Sequence, residues 1–145
     1  MADSSFNGRM SPTPTVGLRN VGSYQISGHP YITGSKLTTG QQFQADFPFI
    51  TKSITVISSG TTNGGAQLRV HFNPSGSAGG NIFDNNHYIT LTAAGDSVTF
   101  DTKCRQIFVT CKSRGGSDNG VELLASLTGI PTSSMYPLTG SGLTK

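Results

Sequence analysis

From about residue 47 onward, apolar residues alternate with polar ones in short stretches separated by glycine-rich turns. This alternation predicts β-strands with one buried face, because successive side chains of a strand point to opposite sides. Several short strands at this spacing predict an all-β fold, a single antiparallel β-sandwich, with a jelly-roll topology favoured. The side chains predicted to face the core are Ile50, Ile54, Val56, Leu68, Val70, Phe72, Ile89, Leu91, Val98, Phe100, Ile107, Val109, Leu123 and Ala125.

Neighbours of these residues are predicted to point away from the core. Gln67, Arg69 and His71 alternate with the apolar residues of one strand, and Phe108 lies on the face opposite Ile107 and Val109 in another. Lys52 breaks the alternation of the first strand. These positions are therefore expected to be the outward-facing side of the sandwich.

The composition opposes a helical fold. Charged residues make up 12% of the chain and Glu122 is the only glutamate, although exposed helices are usually rich in Glu and Lys. One segment is ambiguous, because Val121, Leu124 and Leu127 would also suit a short helix. The turn signal at residues 118–120, Asp-Asn-Gly, favours a strand for this segment.

The organisation predicted from these patterns is an N-terminal arm (residues 1–46), the β-sandwich (47–128) and a C-terminal tail (129–145). Glycines punctuate the arm every five or six residues, and no period is sustained there. Extended pieces are expected at SYQI and PYIT, and a short helical turn within LTTGQQFQADF. The predicted core is sufficient for the sandwich alone, so the arm is expected to need partners for ordering, and removing residues 1–40 should leave a folded domain.

Cys104 and Cys111 lie seven positions apart in one predicted strand. An odd separation places them on opposite faces and, at about 3.3 Å per residue, more than about 20 Å apart. A disulfide between them would then require the strand to break. Both are therefore predicted to be buried or half-buried free thiols.

Residues that could carry out chemistry are scattered. No Gly-x-Ser-x-Gly motif occurs, and the aspartates Asp84, Asp96, Asp101 and Asp118 fall at turns or strand ends, where they bond to backbone N–H groups. Asp84 and His87 could meet a cation, although a polar surface loop is the favoured interpretation, and His29 and His71 are remote in sequence. We therefore expect no enzymatic activity, no cofactor and no metal.

Basic residues gather in one stretch. Lys103, Arg105, Lys112 and Arg114 lie within twelve residues, in a chain whose net charge is only +3. A solvated strand and turn is favoured over a phosphate-binding patch, so no specific nucleic acid is expected as a partner. No run of eighteen apolar residues occurs and the first ten residues lack an apolar stretch, so neither a membrane span nor a signal peptide is expected.

Three of the tyrosines, Tyr24, Tyr31 and Tyr136, lie outside the predicted strands. A tyrosine in such a segment suits a protein–protein contact, because it buries a large area and keeps a polar group. The alternative is that these rings pack the arm and tail onto the same domain. With His29, they are the candidate assembly contacts.

The segments VGLRNVGSYQISGHPYITGS (residues 16–35) and ASLTGIPTSSMYPLTGSGLTK (residues 125–145) resemble small structural proteins of tailed bacteriophages, in particular marine and cyanobacterial phages. The resemblance implies a virion protein, synthesised in the host cytoplasm. It would serve in capsid decoration (cement), as a minor capsid component, or in the neck, tail or fibre. Its partners would be the major capsid protein or other virion subunits, including copies of itself, with a trimer as one arrangement.

The favoured function is therefore a structural subunit that binds the capsid surface and fastens its neighbours. An arm can add a strand to the sheet edge of a neighbouring subunit. Many copies on one particle raise the overall affinity of contacts that are weak individually. A neck, tail or fibre component is the first alternative. A carbohydrate-binding jelly-roll module is the second, although the predicted loops lack an exposed aromatic residue for stacking on a sugar.

Overall fold

The computed structural model describes residues 16–25, 28–59, 67–74, 81–84, 86–112, 119–138 and 143. Within these residues, eight strands form two four-stranded sheets. The strands are β1 (Pro30–Leu37), β2 (Gln42–Asp46), β3 (Phe49–Ser58), β4 (Leu68–His71), β5 (Ile89–Leu91), β6 (Ser97–Phe100), β7 (Gln106–Cys111) and β8 (Asn119–Pro131). Two one-turn helices, α1 (Gly22–Gln25) and α2 (Asn81–Asp84), and a 3-10 turn (Thr132–Ser134) complete the described elements.

The strand pairs are nested along the sequence, so that each pair encloses the next one. Sheet A has the order β1-β8-β3-β6 and sheet B the order β2-β7-β4-β5. Strand β1 pairs with β8, β2 with β7, β3 with β6 and β4 with β5, all antiparallel. This is the topology of an eight-stranded jelly roll, in which one long antiparallel hairpin folds into two sheets. The prediction of an all-β fold with a single antiparallel β-sandwich of jelly-roll type is confirmed.

One core fills the space between the two sheets. Ile54 and Val56 of β3 and Leu123 of β8 meet Val70 and Val109 of sheet B in a single buried cluster. Most of the residues predicted to face the core are buried, and Phe72, Val98 and Phe100 pack against it half-buried. At about 1.5–3 kcal/mol for each large buried side chain, this layer is the main stabilising contribution.

Three residues differ from the sequence prediction: Ile89, His71 and Phe108, which was expected on the outward-facing side and is 1% exposed. Ile89, expected in the core, is 47% exposed, because β5 is the edge strand of sheet B and no further strand lies beside it in the described part of the chain. His71 does point away from the core but is buried. Its ring lies between Phe83 of α2 and Phe108 of β7, so the segment of α2 covers the outer face of sheet B at this point.

The regular sheet begins at Pro30, so the prediction that it begins near residue 47 is wrong. Both β1 and β2 lie within the predicted arm, and β8 runs to Pro131 within the predicted tail. The strand at PYIT is confirmed, but the residues of SYQI that are described form α1, and a turn followed by β2 replaces the helical turn expected after Leu37. Edge strands bury few side chains: in β1 only Leu37 is buried, so the apolar period that reveals a strand is weak there.

The cysteines are buried free thiols, as predicted. Their placement on opposite faces of one strand is wrong, because Cys104 precedes β7 and only Cys111 belongs to it. Both side chains lie in the core between the sheets. The loops predicted around residues 61–65, 75–80 and 113–118 lie outside the described residues. No helix in the described part of the chain is both long and apolar enough to cross a membrane.

Candidate assembly surface

The segment before β1 docks onto one end of sheet A. Leu18 and Tyr24 pack against a second buried cluster formed by Ile50, Ile130 and Met135, and the Tyr24 hydroxyl donates a hydrogen bond to the Leu18 carbonyl at 2.8 Å. Hydrogen bonds within the segment stabilise its turns, because the backbone N–H of Gly17 donates to Ser23 Oγ and that of Gly22 to Asn20 Oδ1. It therefore has a defined shape of its own.

The segment after β8 docks at the same end. Pro131 ends the strand, the 3-10 turn follows, and Met135 is buried beside Ile130. Leu138 contacts both buried clusters, and its carbonyl accepts a hydrogen bond from the Asn73 side chain. Residues 16–25 and 131–138 thus lie together, and we call this surface the terminal face.

The terminal face exposes apolar side chains. Val21 is 67% exposed, Val16 57% and Tyr136 56%. Residues 17–21 and Ser134 line a shallow depression between the two segments. Isolated exposed apolar residues are normal, whereas a group of them on one surface is a candidate interaction site. The sequence analysis missed Val16 and Val21, because neither belongs to a periodic stretch.

The four predicted contact residues divide into two pairs. Tyr24 is half-buried, and burial followed by the neighbouring phenol of Tyr136 raises its pKa. Tyr31 is half-buried in β1 and meets the Phe47 ring edge-to-face at 5.2 Å. These two rings pack onto their own domain, which was one of the two alternatives left open by the sequence.

His29 and Tyr136 are the exposed pair. The His29 ring lies 6.4 Å from that of Phe49, and its carbonyl accepts a hydrogen bond from the Leu127 N–H at 2.9 Å. His29 directly precedes β1, and Phe49 pairs with Pro131 at the end of β8. The structure therefore brings His29 and Tyr136 to the same end of sheet A, with their side chains accessible.

The outer face of sheet B carries a cluster of a different kind. The Arg69 guanidinium carbon lies 4.3 Å from the Tyr88 ring centroid and 5.2 Å from that of Phe83. The His71 ring stacks on Phe108 with centroids 5.8 Å apart. Cation–π and ring stacking contacts of this kind stabilise the covering segment on the sheet, so this cluster has a structural role.

The other titratable candidates do not converge. Asp96 accepts hydrogen bonds from the N–H groups of Ala93 and Thr92, which lower its carboxyl pKa. Lys103 is half-buried, while Arg105 and Lys112 are exposed. Arg114, Asp118 and the side chain of Asp84 lie outside the described part of the structure. Among the described residues, no three His, Cys, Asp or Glu side chains come together.

Comparison with known proteins finds similarity to solved structures alone. No protein-family model matches the chain, and no curated protein matches it. Among solved structures, it is similar to a de novo designed double-stranded β-helix, with 12% sequence identity and a TM-score of 0.34. The alignment covers 66% of this chain and 96% of the designed one. The jelly-roll assignment therefore rests on the strand pairing itself.

Proposed function

We propose that this chain is a non-enzymatic structural subunit of a tailed-phage virion, which binds the capsid surface through its terminal face and fastens neighbouring subunits. The observation that carries the proposal is the meeting of both terminal segments on one surface that exposes Val16, Val21 and Tyr136. These segments, within residues 16–35 and 125–145, are also the ones that resemble phage structural proteins.

The geometry of the terminal face suits this role. The two segments are anchored by buried side chains and internal hydrogen bonds, so little conformational entropy is lost when a partner binds. An exposed tyrosine beside exposed valines offers apolar area together with one polar group. Repetition over a particle strengthens such a small contact through multivalency. Jelly rolls also serve as rigid modules in viral capsids.

The test is binding of the purified chain to particles of the encoding phage from which this chain has been deleted. The double variant Val21→Asp with Tyr136→Ser should bind at least about tenfold more weakly, a loss of about 1.4 kcal/mol. Ile89→Asp, which changes an exposed residue on β5 that is not part of the terminal face, should bind like the wild type. Equal binding by all three proteins would contradict the proposal.

The number of copies per particle distinguishes capsid decoration from the first alternative, a neck, tail or fibre component. Cryo-electron microscopy of the intact particle, with this chain located and counted, should find it on the capsid lattice in hundreds of copies. A neck, tail or fibre component would instead be present in roughly six or twelve copies around the tail axis, as its cyclic symmetry requires.

One observation favours the carbohydrate-binding alternative. Tyr136 presents an aromatic ring that is 56% exposed, and a sugar ring stacks on a surface of this kind. A glycan-array screen with the wild type and Tyr136→Ser tests it. Binding that disappears in the variant, without any binding to particles, would replace the virion proposal with this one.

A further inference from the structure

Strand β1 offers an unpaired backbone edge. It lies at the border of sheet A, and β8 is its only strand partner among the described residues. The Leu127 N–H bonds to the His29 carbonyl, so His29 begins the alternating series of hydrogen-bonded pairs. Odd-numbered residues of β1 therefore direct their N–H and C=O groups toward β8. The corresponding groups of Ile32 and Gly34 point away from the sheet.

Pro30 supports this assignment. It occupies an outward-pointing position, where the missing N–H of proline costs no hydrogen bond within the sheet. The register between β1 and β8 runs without a bulge from Pro30 to Leu37, so the alternation holds along the whole strand. Natural edge strands are usually blocked by charges, prolines or bulges, yet residues 32–35 carry none of these.

The same strand carries an exposed apolar knob beside a groove. Ile32 is 78% exposed and its partner across the strands, Leu124, is 46% exposed. Two residues along the same face, Gly34 has no side chain, and a Cβ at this position would lie only 2.8 Å from the Val121 carbonyl oxygen. The groove is lined by Ile32, Thr33, Gly34, Ile57, Glu122, Leu123 and Leu124.

We propose that β1 pairs with β1 of a second copy of this chain, antiparallel about a two-fold axis through Thr33. Ile32 of each copy then lies opposite Gly34 of the other, and the isoleucine fills the groove above that glycine. The outward N–H and C=O groups of Ile32 and Gly34 form reciprocal hydrogen bonds in this register. The two four-stranded A sheets become one continuous sheet of eight strands.

A second copy fits better than an unrelated strand, because the protruding side chain of Ile32 and the groove at Gly34 lie two residues apart on one strand. Only an antiparallel partner with the same spacing fills both grooves at once, which is the self-complementarity that a two-fold interface requires. This register also places no like charges directly opposite each other. The inference rests on the proposed function only for the biological purpose of the dimer. Its test uses the purified protein without phage particles, so the dimer inference and the proposed function can each fail while the other stands.

Disulfide trapping tests the register in the full-length protein. Thr33 would form a non-hydrogen-bonded pair with its own copy, with Cα atoms about 4.5 Å apart, within the range that a disulfide accepts. Ser35 lies on the same face and is also half-buried, but the two copies of it would be about 13 Å apart along the strands. Thr33→Cys should form covalent dimers under mild oxidation and Ser35→Cys should not. Both variants keep the two native thiols, Cys104 and Cys111, which are buried.

A second measurement covers the case in which a new cysteine disturbs the strand. In sedimentation equilibrium, the wild type should dimerise and Ile32→Lys should raise the dimer Kd at least about tenfold. Ile89→Lys, which alters an exposed isoleucine on the edge strand of sheet B, should match the wild type. A monomeric wild type, equal Kd values for the two lysine variants, or trapping at Ser35 in place of Thr33 would each overturn the inference.

Discussion

His71 shows how one buried polar side chain is fully accommodated. Its Nδ1 lies 2.6 Å from the Asn73 carbonyl and its Nε2 2.8 Å from Thr110 Oγ1. A carbonyl can only accept, so Nδ1 carries the proton and donates it, while Nε2 accepts from the threonine hydroxyl. A second proton on this ring would leave the threonine without its acceptor. Burial accordingly lowers the pKa of His71, and the Asn73 carbonyl opposes this effect only in part.

This arrangement predicts acid-sensitive folding. Because the folded pKa is depressed below the ordinary value of 6.5, the unfolded chain binds the proton more readily, and stability falls as the pH drops below that value. Urea unfolding at a series of pH values should show a decline below about pH 6.5 in the wild type and a weaker decline in His71→Gln. Equal slopes for the wild type and His71→Gln would contradict the assignment.

A second prediction concerns Cys104. Burial raises the pKa of its thiol to about 11, from an ordinary value of 9.0, and Thr51 Oγ1 lies 3.5 Å from the sulfur. Since the thiolate is the reactive form, two pKa units reduce the reactive fraction about a hundredfold. In Cys111→Ser, which retains only Cys104, a thiol reagent at pH 8 should react at least that much faster in denaturing urea than in buffer. Similar rates in both conditions would exclude a buried, protonated thiol.

At the scale of elements, the strands from β3 onward could be predicted from the sequence, including the edge strands β5 and β6. Of β1 only the extended piece at PYIT was predicted, and β2 was not. Strands β3, β4, β7 and β8 alternate clearly because their inner side chains meet the opposite sheet. Strand β1 buries only Leu37, so its pairing with β8 depends on backbone hydrogen bonds that leave no mark in the apolar pattern. The burial of His71 was missed because its cover, α2, comes from a remote segment.

Some residues of the candidate assembly surface were predicted from the sequence and others were not. Tyr136 and His29 were identified as contacts because aromatic residues outside strands suit interfaces, and both are exposed at the same end of the sandwich. Val16 and Val21 were not, because their importance follows from the docking of Leu18 and Tyr24 and not from any local motif. The proximity of these two segments becomes apparent only after the fold brings them together.

The pairing of β1 leads to a prediction about truncation. A chain that lacks residues 1–40 loses all of β1 and leaves β8 with an unpaired edge and an uncovered face. It should unfold without cooperativity or precipitate, as thermal unfolding followed by circular dichroism can establish. A folded, cooperative chain starting at residue 41 would show instead that β1 is an accessory strand.

At the scale of the molecule, the jelly roll holds two separate hydrophobic clusters. The larger one lies between the sheets, and the smaller one joins Ile50 and Ile130 to the terminal segments. The smaller cluster determines the positions of residues 16–25 and 131–138. The terminal face therefore depends on the buried side chains of the smaller cluster, and its integrity can be measured separately from the stability of the sandwich.

This separation can be measured with two matched substitutions. Ile130→Ala in the smaller cluster and Ile54→Ala in the larger one both truncate isoleucines that are fully buried, and each should cost about 2–5 kcal/mol. Only Ile130→Ala should release the N-terminal segment, so trypsin should cleave after the exposed Arg19 faster than in the wild type under native conditions. Ile54→Ala should unfold at lower urea concentration but keep that bond protected, because its contacts lie between the sheets. Equal cleavage rates in the two variants would mean that the terminal segments follow global unfolding, and that the smaller cluster does not hold the terminal face by itself.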